Sequence, residues 1–282
     1  MEAVVMGSVV LVAVFAYLFC IMPRVFHRPD ISPLRNSRFA HRGLHDGGLI
    51  RPENSIPAFW EAIEQGYAIE LDVQRTKDNK VVVFHDFDLN RICGVDKKVC
   101  NLTYEELKQY PLLKSNERIP LLSEVLKLVD KKVPILVELK YNAMNRDIAA
   151  LTYQILRNYK GSYYIQCFHM KPLRWYKKKQ PTILRGQLAQ GTKKKGKSII
   201  RIGSFFLEYL MGNFISRPDF ISYSWKRQNN ISLNLCKRLF GCPILAWTIR
   251  SEEELEKVRD RFDGIIFEGI DRSNVFKSVN HF

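Results

Sequence analysis

Eight short apolar runs, rich in β-branched and aromatic residues and mostly separated by helical patterns, constrain this chain more than any other feature. They fall at residues 39–40, 68–73, 134–139, 163–168, 182–188, 219–224, 243–249 and 264–267. Helical patterns lie between them, most clearly at 55–65, 121–131, 145–159, 231–240 and 251–261. Ser55 suits an N-cap, with Pro57 in the first turn. Ser251 followed by Glu252, Glu253 and Glu254 reads as a capping-box start. Alternating strand and helix predicts a parallel sheet with covered faces. Eight units suit closure into a (β/α)8 TIM barrel, and 282 residues can hold one such domain.

One run breaks the alternation. Residues 81–84 follow the second strand after only Thr76-Lys77-Asp78-Asn79-Lys80, too few for a parallel crossover. The run must therefore turn back as an antiparallel hairpin. With Asp78-Asn79 as a two-residue turn, Asp72 is expected opposite His85.

Barrel chemistry sits at the C-terminal ends of the strands. Those ends read His41-Arg42-Gly43, Glu70-Leu71-Asp72, His85-Asp86 on the hairpin, and Glu138-Leu139-Lys140. Residues two apart on a strand share a face, so Glu70 pairs with Asp72 and Glu138 with Lys140. A lone carboxylate on a strand is more often salt-bridged than catalytic, and a lone histidine is usually structural. The joint occurrence carries the argument. Three carboxylates converging at one barrel mouth would repel one another without a cation, and hard oxygen donors suit Mg²⁺ or Ca²⁺. Two histidines can act as general acid and base. Arg42 and Lys140 can bind a phosphate.

The N-terminus has a different character. Residues 3–22 form an uncharged apolar run without proline. At ~1.5 Å per residue a helix of this length just spans a ~30 Å hydrocarbon core. A cleaved signal would need a basic region before the run, whereas Glu2 is the first charged side chain. Arg24, His27, Arg28, Arg35 and Arg38 follow it, so a catalytic domain on the cytoplasmic side of the cell membrane is expected, single-pass. Cys93, Cys100, Cys167, Cys236 and Cys242 form no regular framework, which suits a reducing compartment. The net charge of +15 fits an anionic membrane surface as partner. No zinc-finger or single-strand-binding pattern supports nucleic acid.

In order and spacing the strand-end motifs, with Pro52-Glu53-Asn54-Ser55, Thr76-Lys77-Asp78, Ile119-Pro120-Leu121 and Trp247-Thr248, resemble the glycerophosphodiester phosphodiesterase family over about residues 38–270. The resemblance implies a (β/α)8 barrel with an insertion after the second strand, at about 75–120 here. With the apolar run read as an anchor, the chain is expected to divide into an anchor at 1–23, a linker at 24–37 and a barrel at 38–282. The resemblance also implies Glu70, Asp72 and Glu138 as ligands of a divalent cation, Mg²⁺ or Ca²⁺, and His41 and His85 as the acid/base pair. Arg42 and Lys140 would bind the phosphate, Trp247 would line the alcohol pocket, and Glu53 and Asn54 would organise the first loop. The implied reaction is hydrolysis of glycerophosphodiesters to glycerol phosphate and an alcohol. Alternatives are the same chemistry on a lysophospholipid or another membrane-derived diester, and a non-catalytic lipid-binding barrel.

Two positions depart from the family pattern. Phe267-Glu268-Gly269 replaces a Thr-Asp pair, and Cys167-Phe168 stands where Ser-Phe is common. His169 reads as a loop residue. The stretch 171–217 departs most. It carries Lys177-Lys178-Lys179 and the cluster Lys193, Lys194, Lys195 and Lys197, then an apolar stripe at 199, 202, 206 and 210. The stripe reads either as an ordinary barrel helix or as an interfacial segment at 189–215 that touches anionic lipid.

Overall fold

The computed structural model describes residues 1–48, 50–191 and 198–270, with the backbone alone at residue 3 and at 198–202. Its strands are β1 (Ser37–Ala40), β2 (Ala68–Arg75), β3 (Val81–Val83), β4 (Ile135–Leu139), β5 (Tyr163–Cys167), β6 (Arg185–Ala189), β7 (Phe220–Ser224), β8 (Ile244–Ile249) and β9 (Gly264–Phe267). All but β3 pair in parallel, and β1 pairs with both β2 and β9, closing an eight-stranded TIM barrel. Each of the eight expected runs carries one barrel strand.

The helices are α1 (Glu2–Ile21), α2 (Ile56–Glu64), α3 (Asn90–Cys93), α4 (Tyr104–Leu107), α5 (Leu122–Val129), α6 (Ile148–Leu156), α7 (Met170–Lys179), α8 (Ser198–Glu208), α9 (Asn213–Ser216), α10 (Ile231–Phe240) and α11 (Glu252–Val258). Ser55 and Ser251 are N-caps, their side chains accepting from the backbone N–H groups of Ala58 and Glu254. The Glu254 carboxylate does not close the capping box onto Ser251; it accepts from the Arg250 N–H, one residue earlier. Helix α7 was not legible in the basic run that ends it. His169 is its N-cap, accepting from the Lys171 N–H.

The hairpin register differs by one residue from the expected one. Val73 pairs with Val83 and Arg75 with Val81, so Phe84, not His85, lies opposite Asp72. The connection is a three-residue loop, 77–79, with Asn79 at φ 60°. The Thr76 N–H donates to the Lys80 carbonyl at 2.9 Å, and the Thr76 hydroxyl accepts from the Lys80 N–H. A left-handed asparagine after the turn closes a three-residue hairpin readily, and the threonine clasp selects it over Asp78-Asn79 alone. The connection from β2 to α5 also holds α3 and α4 around a small apolar core, including Phe84, Leu89, Ile92 and Ile119.

Helix α1 is 20 residues long, and its window from Val4 to Ile21 is apolar enough to cross a membrane. Its last turn and residues 22–36 pack on the barrel. Ile21 and Leu34 are fully buried, and Leu34 joins Phe39, Leu136, Phe220 and Leu245 inside the barrel's lower end. Arg28 donates to the carbonyls of Phe240 and Gly241, covering the C-terminus of α10.

The apolar stripe in the basic segment is shorter than its spacing suggested. Helix α8 stops at Glu208, and Leu210 turns left-handed at φ 56° and is buried. Phe205 and Phe206 stay exposed. Lys193, Lys194, Lys195 and Lys197 lie outside the described residues.

Candidate active site

The first motif is built by a sharp backbone reversal at the end of β1. Arg42 (φ 58°) and Gly43 (φ 80°) are successive left-handed residues. A Cβ on Gly43 would meet the Ala58 backbone at 2.9 Å, so only glycine fits there. The turn aims the Arg42 N–H at the Glu70 carboxylate, 3.1 Å away. Asn54, also left-handed and buried, donates to Asp72 Oδ2 at 2.9 Å, while its N–H donates to the Arg42 carbonyl. The pair Glu53-Asn54 thus ties the first loop to the second strand.

Parallel pairing sets Asp72 of β2 beside Glu138 of β4, and Glu70 lies two residues before Asp72 on the same face. The result is a buried group in which one oxygen of each of Glu70, Asp72 and Glu138 lies within 4.8 Å of the others. Glu70 also accepts from Gln166 Nε2 at 3.1 Å. Lys140 Nζ stands 2.8 Å from Glu138 Oε1 and 3.1 Å from Asp72 Oδ1. Sharing a face with Glu138, its amine folds back onto the carboxylates, so they and not open solvent surround it.

The electrostatics of the group expose its need for positive charge. Burial, reinforced by Asp72 and Glu138, raises Glu70 well above the ordinary carboxylate range. Burial raises Glu138 as well, although Lys140 opposes it. Burial would raise Asp72 too, but Lys140, His85 and Arg42 outweigh it and hold the carboxyl low. The neighbouring cations therefore hold one carboxylate in its charged form and leave the other two strained. A divalent cation bound by the three would relieve that strain, and the all-oxygen donor set fits Mg²⁺ or Ca²⁺.

A cavity of about 240 Å³ opens above this group, lined among others by His41, Arg42, Glu70, His85, Glu138 and Trp247. Each histidine is oriented by a carboxylate. His41 Nδ1 lies 2.9 Å from Glu268 Oε2, and His85 Nδ1 lies 2.5 Å from Asp86 Oδ1. Occupying Nδ1 in this way leaves each Nε2 available for proton transfer. Gln74 holds the hairpin loop by donating to the carbonyls of Phe84 and Asp86. Arg91 bridges Asp86 and Glu53, tying the His85 loop to the first one. Burial lowers His41 to about 4 despite the Glu268 hydrogen bond that raises it. That hydrogen bond, partly offset by burial, lowers Glu268 to about 2. Arg42 gives one guanidinium nitrogen to Glu53 at 2.8 Å, while its buried Nε lies 3.5 Å from Asp72 Oδ2.

Every candidate read from the sequence thus lies at one end of the barrel. Lys140 lies among the carboxylates, whereas Lys226 and Arg250 line the cavity alongside Arg42. Trp247 is edge-on to Phe168 at 5.7 Å. Sequence reading missed three orienting residues. Glu268 stands out in the sequence only as a departure from the family pattern, and Asp86 only as the neighbour of His85. Gln166 carried the same signal as Glu70, a polar residue inside an apolar strand run. Cys167, adjacent to Gln166, is buried; its Sγ lies 3.1 Å from the Leu139 carbonyl and accepts from the His169 N–H.

Known proteins converge on the same family. Residues 41–272 match the sequence model described as the Glycerophosphoryl diester phosphodiesterase family. A glycerophosphodiester phosphodiesterase of Caldanaerobacter subterraneus subsp. tengcongensis is 31% identical over 242 residues, covering 80% of this chain and 91% of that protein. The lysophospholipase D GDPD1 of Homo sapiens is 32% identical over 142 residues, 46% of this chain and 44% of that protein. Among solved structures, a glycerophosphodiester phosphodiesterase from Thermotoga maritima is 28% identical with TM-score 0.65, covering 87% of this chain and 97% of that one. An Oleispira antarctica phosphodiesterase, in complex with its product sn-glycerol-3-phosphate, shares the fold at TM-score 0.69 and 21% identity, covering 87% of this chain and 97% of that one.

Proposed function

Because the chain belongs to the glycerophosphoryl diester phosphodiesterase family, and is thereby a phosphoric diester hydrolase, we propose that it cleaves glycerophosphodiesters by paired-histidine catalysis at a divalent-cation site. The observation that carries this reading is the buried Glu70–Asp72–Glu138 group beneath a cavity lined by two carboxylate-oriented histidines. A cation held by the three carboxylates would polarise the phosphoryl group and neutralise its developing charge. Arg42, which lines the cavity, brings a guanidinium charge to the phosphate. One imidazole Nε2 takes a proton from the attacking hydroxyl, that of water or of the glycerol, as its oxygen bonds to phosphorus. The other protonates the leaving alcohol oxygen as its P–O bond breaks, and where the glycerol hydroxyl attacks, water then opens the cyclic diester. Glu268 and Asp86 keep each ring in the required tautomer. Trp247 and Phe168 give the leaving group an apolar wall.

Purified full-length protein should release glycerol phosphate from glycerophosphodiesters when Mg²⁺ or Ca²⁺ is present and not after chelation. Binding of the diester with no turnover under any metal would support the lipid-binding barrel instead. A lysophospholipid is the second substrate reading, favoured by the apolar cavity wall of Phe168, Leu188 and Trp247 and by the apolar helix α1. Running the same assay on lysophospholipids decides between the two.

The anchor reading belongs to this proposal. In it α1 spans the cell membrane, and the barrel stays on the cytoplasmic side against anionic lipid. The charges of Arg24, Arg28, Arg35 and Arg38 after the run, with none before it, support that orientation. A periplasmic-type phosphatase fused to the C-terminus should be inactive and a cytoplasmic reporter active. The opposite pattern would place the barrel outside.

A further inference from the structure

We propose that the catalytic mouth faces the bilayer that α1 enters, so that the rim around Phe205, Phe206 and Ile231 lies at headgroup level and an acyl-chain substrate reaches the cavity without leaving the lipid. The proposal rests on the hydrolase reading for its substrate, but on independent contacts for its orientation.

The first argument is direction. Helix α10 follows β7, so it starts at the catalytic rim and ends at the opposite face of the barrel. The Tyr17 hydroxyl lies 2.7 Å from Ser232 Oγ, in the first turn of α10. The Ile21 carbonyl accepts from Cys236 Sγ, midway along it. Arg28 reaches Phe240 and Gly241 at its far end. The chain therefore descends from the rim to the base as it runs from residue 17 to 28. Followed backwards, α1 leaves the barrel on the catalytic side.

The second argument is length. Every described side chain from Glu2 to Ala16 is exposed, whereas Tyr17, Leu18 and Cys20 are partly covered and Ile21 is buried. Fifteen free residues, Glu2–Ala16, extend only ~22 Å at ~1.5 Å each. A hydrocarbon core is ~30 Å thick. The missing ~8 Å must come from the docked turn, Tyr17–Ile21, which draws the rim beside it down to the membrane boundary. Tyr17 and Phe19 then stand where aromatic residues concentrate in membrane helices. The Arg217 guanidinium lies over the Phe19 ring at 4.5 Å and donates to the carbonyls of Phe19 and Met22, placing a cation at the same depth.

The third argument is the chemistry of the rim. The Glu208 carbonyl, at the end of α8, accepts from the Tyr223 hydroxyl near the end of β7 and from Asn230, the N-cap of α10. The C-terminal end of α8 therefore lies at the rim, beside the first turn of α10. Phe205 is 48% exposed, Phe206 43% and Ile231 61%, all on connections that follow strands at this end. Ile50 and Met144, on the connections after β1 and β4, are exposed as well. Lys226 and Arg227 line one hollow with Tyr209 and Ile231, and the chain carries +15 overall. Apolar tips among cations match an anionic lipid surface.

The test places a photo-crosslinking benzophenone amino acid at Phe206, Ile231 or Leu239 of the full-length protein in vesicles of phosphatidylglycerol and phosphatidylcholine. Leu239 is exposed near the opposite end of α10. Adducts to phospholipid at 206 and 231 but not at 239 are expected. Adducts at 239 alone, protein–protein adducts at 231, or no lipid adduct at any site would each overturn the proposal. Alongside this, Phe205→Ser with Phe206→Ser should lower turnover of a lysophospholipid in those vesicles at least tenfold and leave a soluble glycerophosphodiester unaffected. Equal loss on both substrates would also count against it. If wild-type protein hydrolyses neither substrate, the functional reading fails while the adduct pattern still reports the orientation.

Discussion

Glu70→Ala, Asp72→Ala and Glu138→Ala are each expected to lower kcat/KM by about a thousandfold or more, and chelation should do the same to the unaltered protein. Charge stabilisation by a bound cation supplies several kcal/mol, and every ~1.4 kcal/mol is tenfold in rate. Restoring activity with Mg²⁺ or Ca²⁺ identifies the ion; full activity in metal-free protein would refute the assignment. Stability gives a second readout. Burial and mutual repulsion hold Glu70 and Glu138 above the ordinary carboxylate range. A group whose pKa is raised on folding contributes stability at low pH that is lost as pH rises through its folded value. Metal-free protein should therefore lose Tm as pH climbs above about 4.5, the usual glutamate value. A bound cation should remove that loss, and Glu70→Gln should weaken both the loss and the response to the cation.

His41→Ala and His85→Ala should fold and lose about 10²- to 10⁴-fold in turnover, the range typical of general acid–base groups. A loss below tenfold in both would argue against the pair. Glu268→Gln separates orientation from bulk structure. The Glu268 hydrogen bond raises His41 against the burial that lowers it to about 4. Gln keeps the shape and removes the charge, so whichever limb of the kcat/KM profile reports His41 should move to lower pH. The rate should drop by roughly tenfold to a hundredfold, as for other orienting groups. An unshifted limb would mean that Glu268 only packs. Its own stability contribution has the opposite sign to that of Glu70. With Glu268 lowered to about 2, it is fully present above the ordinary carboxylate range and lost as pH falls toward 2.

Strand identity, the alternation of strand with helix and the face on which each carboxylate sits were legible in the sequence because each depends on short-range information. Strand alternation assigns a face to Glu70, Asp72 and Glu138 without any knowledge of neighbours. Capping serines and β-branched runs mark element ends locally. The hairpin existed on length alone, yet its register did not follow. It turned on whether Thr76 would clasp Lys80 and Asn79 would adopt φ 60°, a choice between loops of similar local propensity.

What only the tertiary structure decided is the company each charge keeps. Glu268 lies 227 residues from His41 in sequence and 2.9 Å from it in space. No local pattern links them, since the contact exists only once β9 closes on β1. Lys140 could have faced substrate or carboxylates, and the pairing of β2 with β4 set Asp72 beside it. The direction of α1 was equally invisible. Its composition tells how far a helix can reach through lipid, while the side of the barrel from which it departs depends on Tyr17, Ile21 and Arg28 meeting α10 in that order. Periodicity is a property of neighbours along the chain, whereas closure of the barrel is a property of the whole.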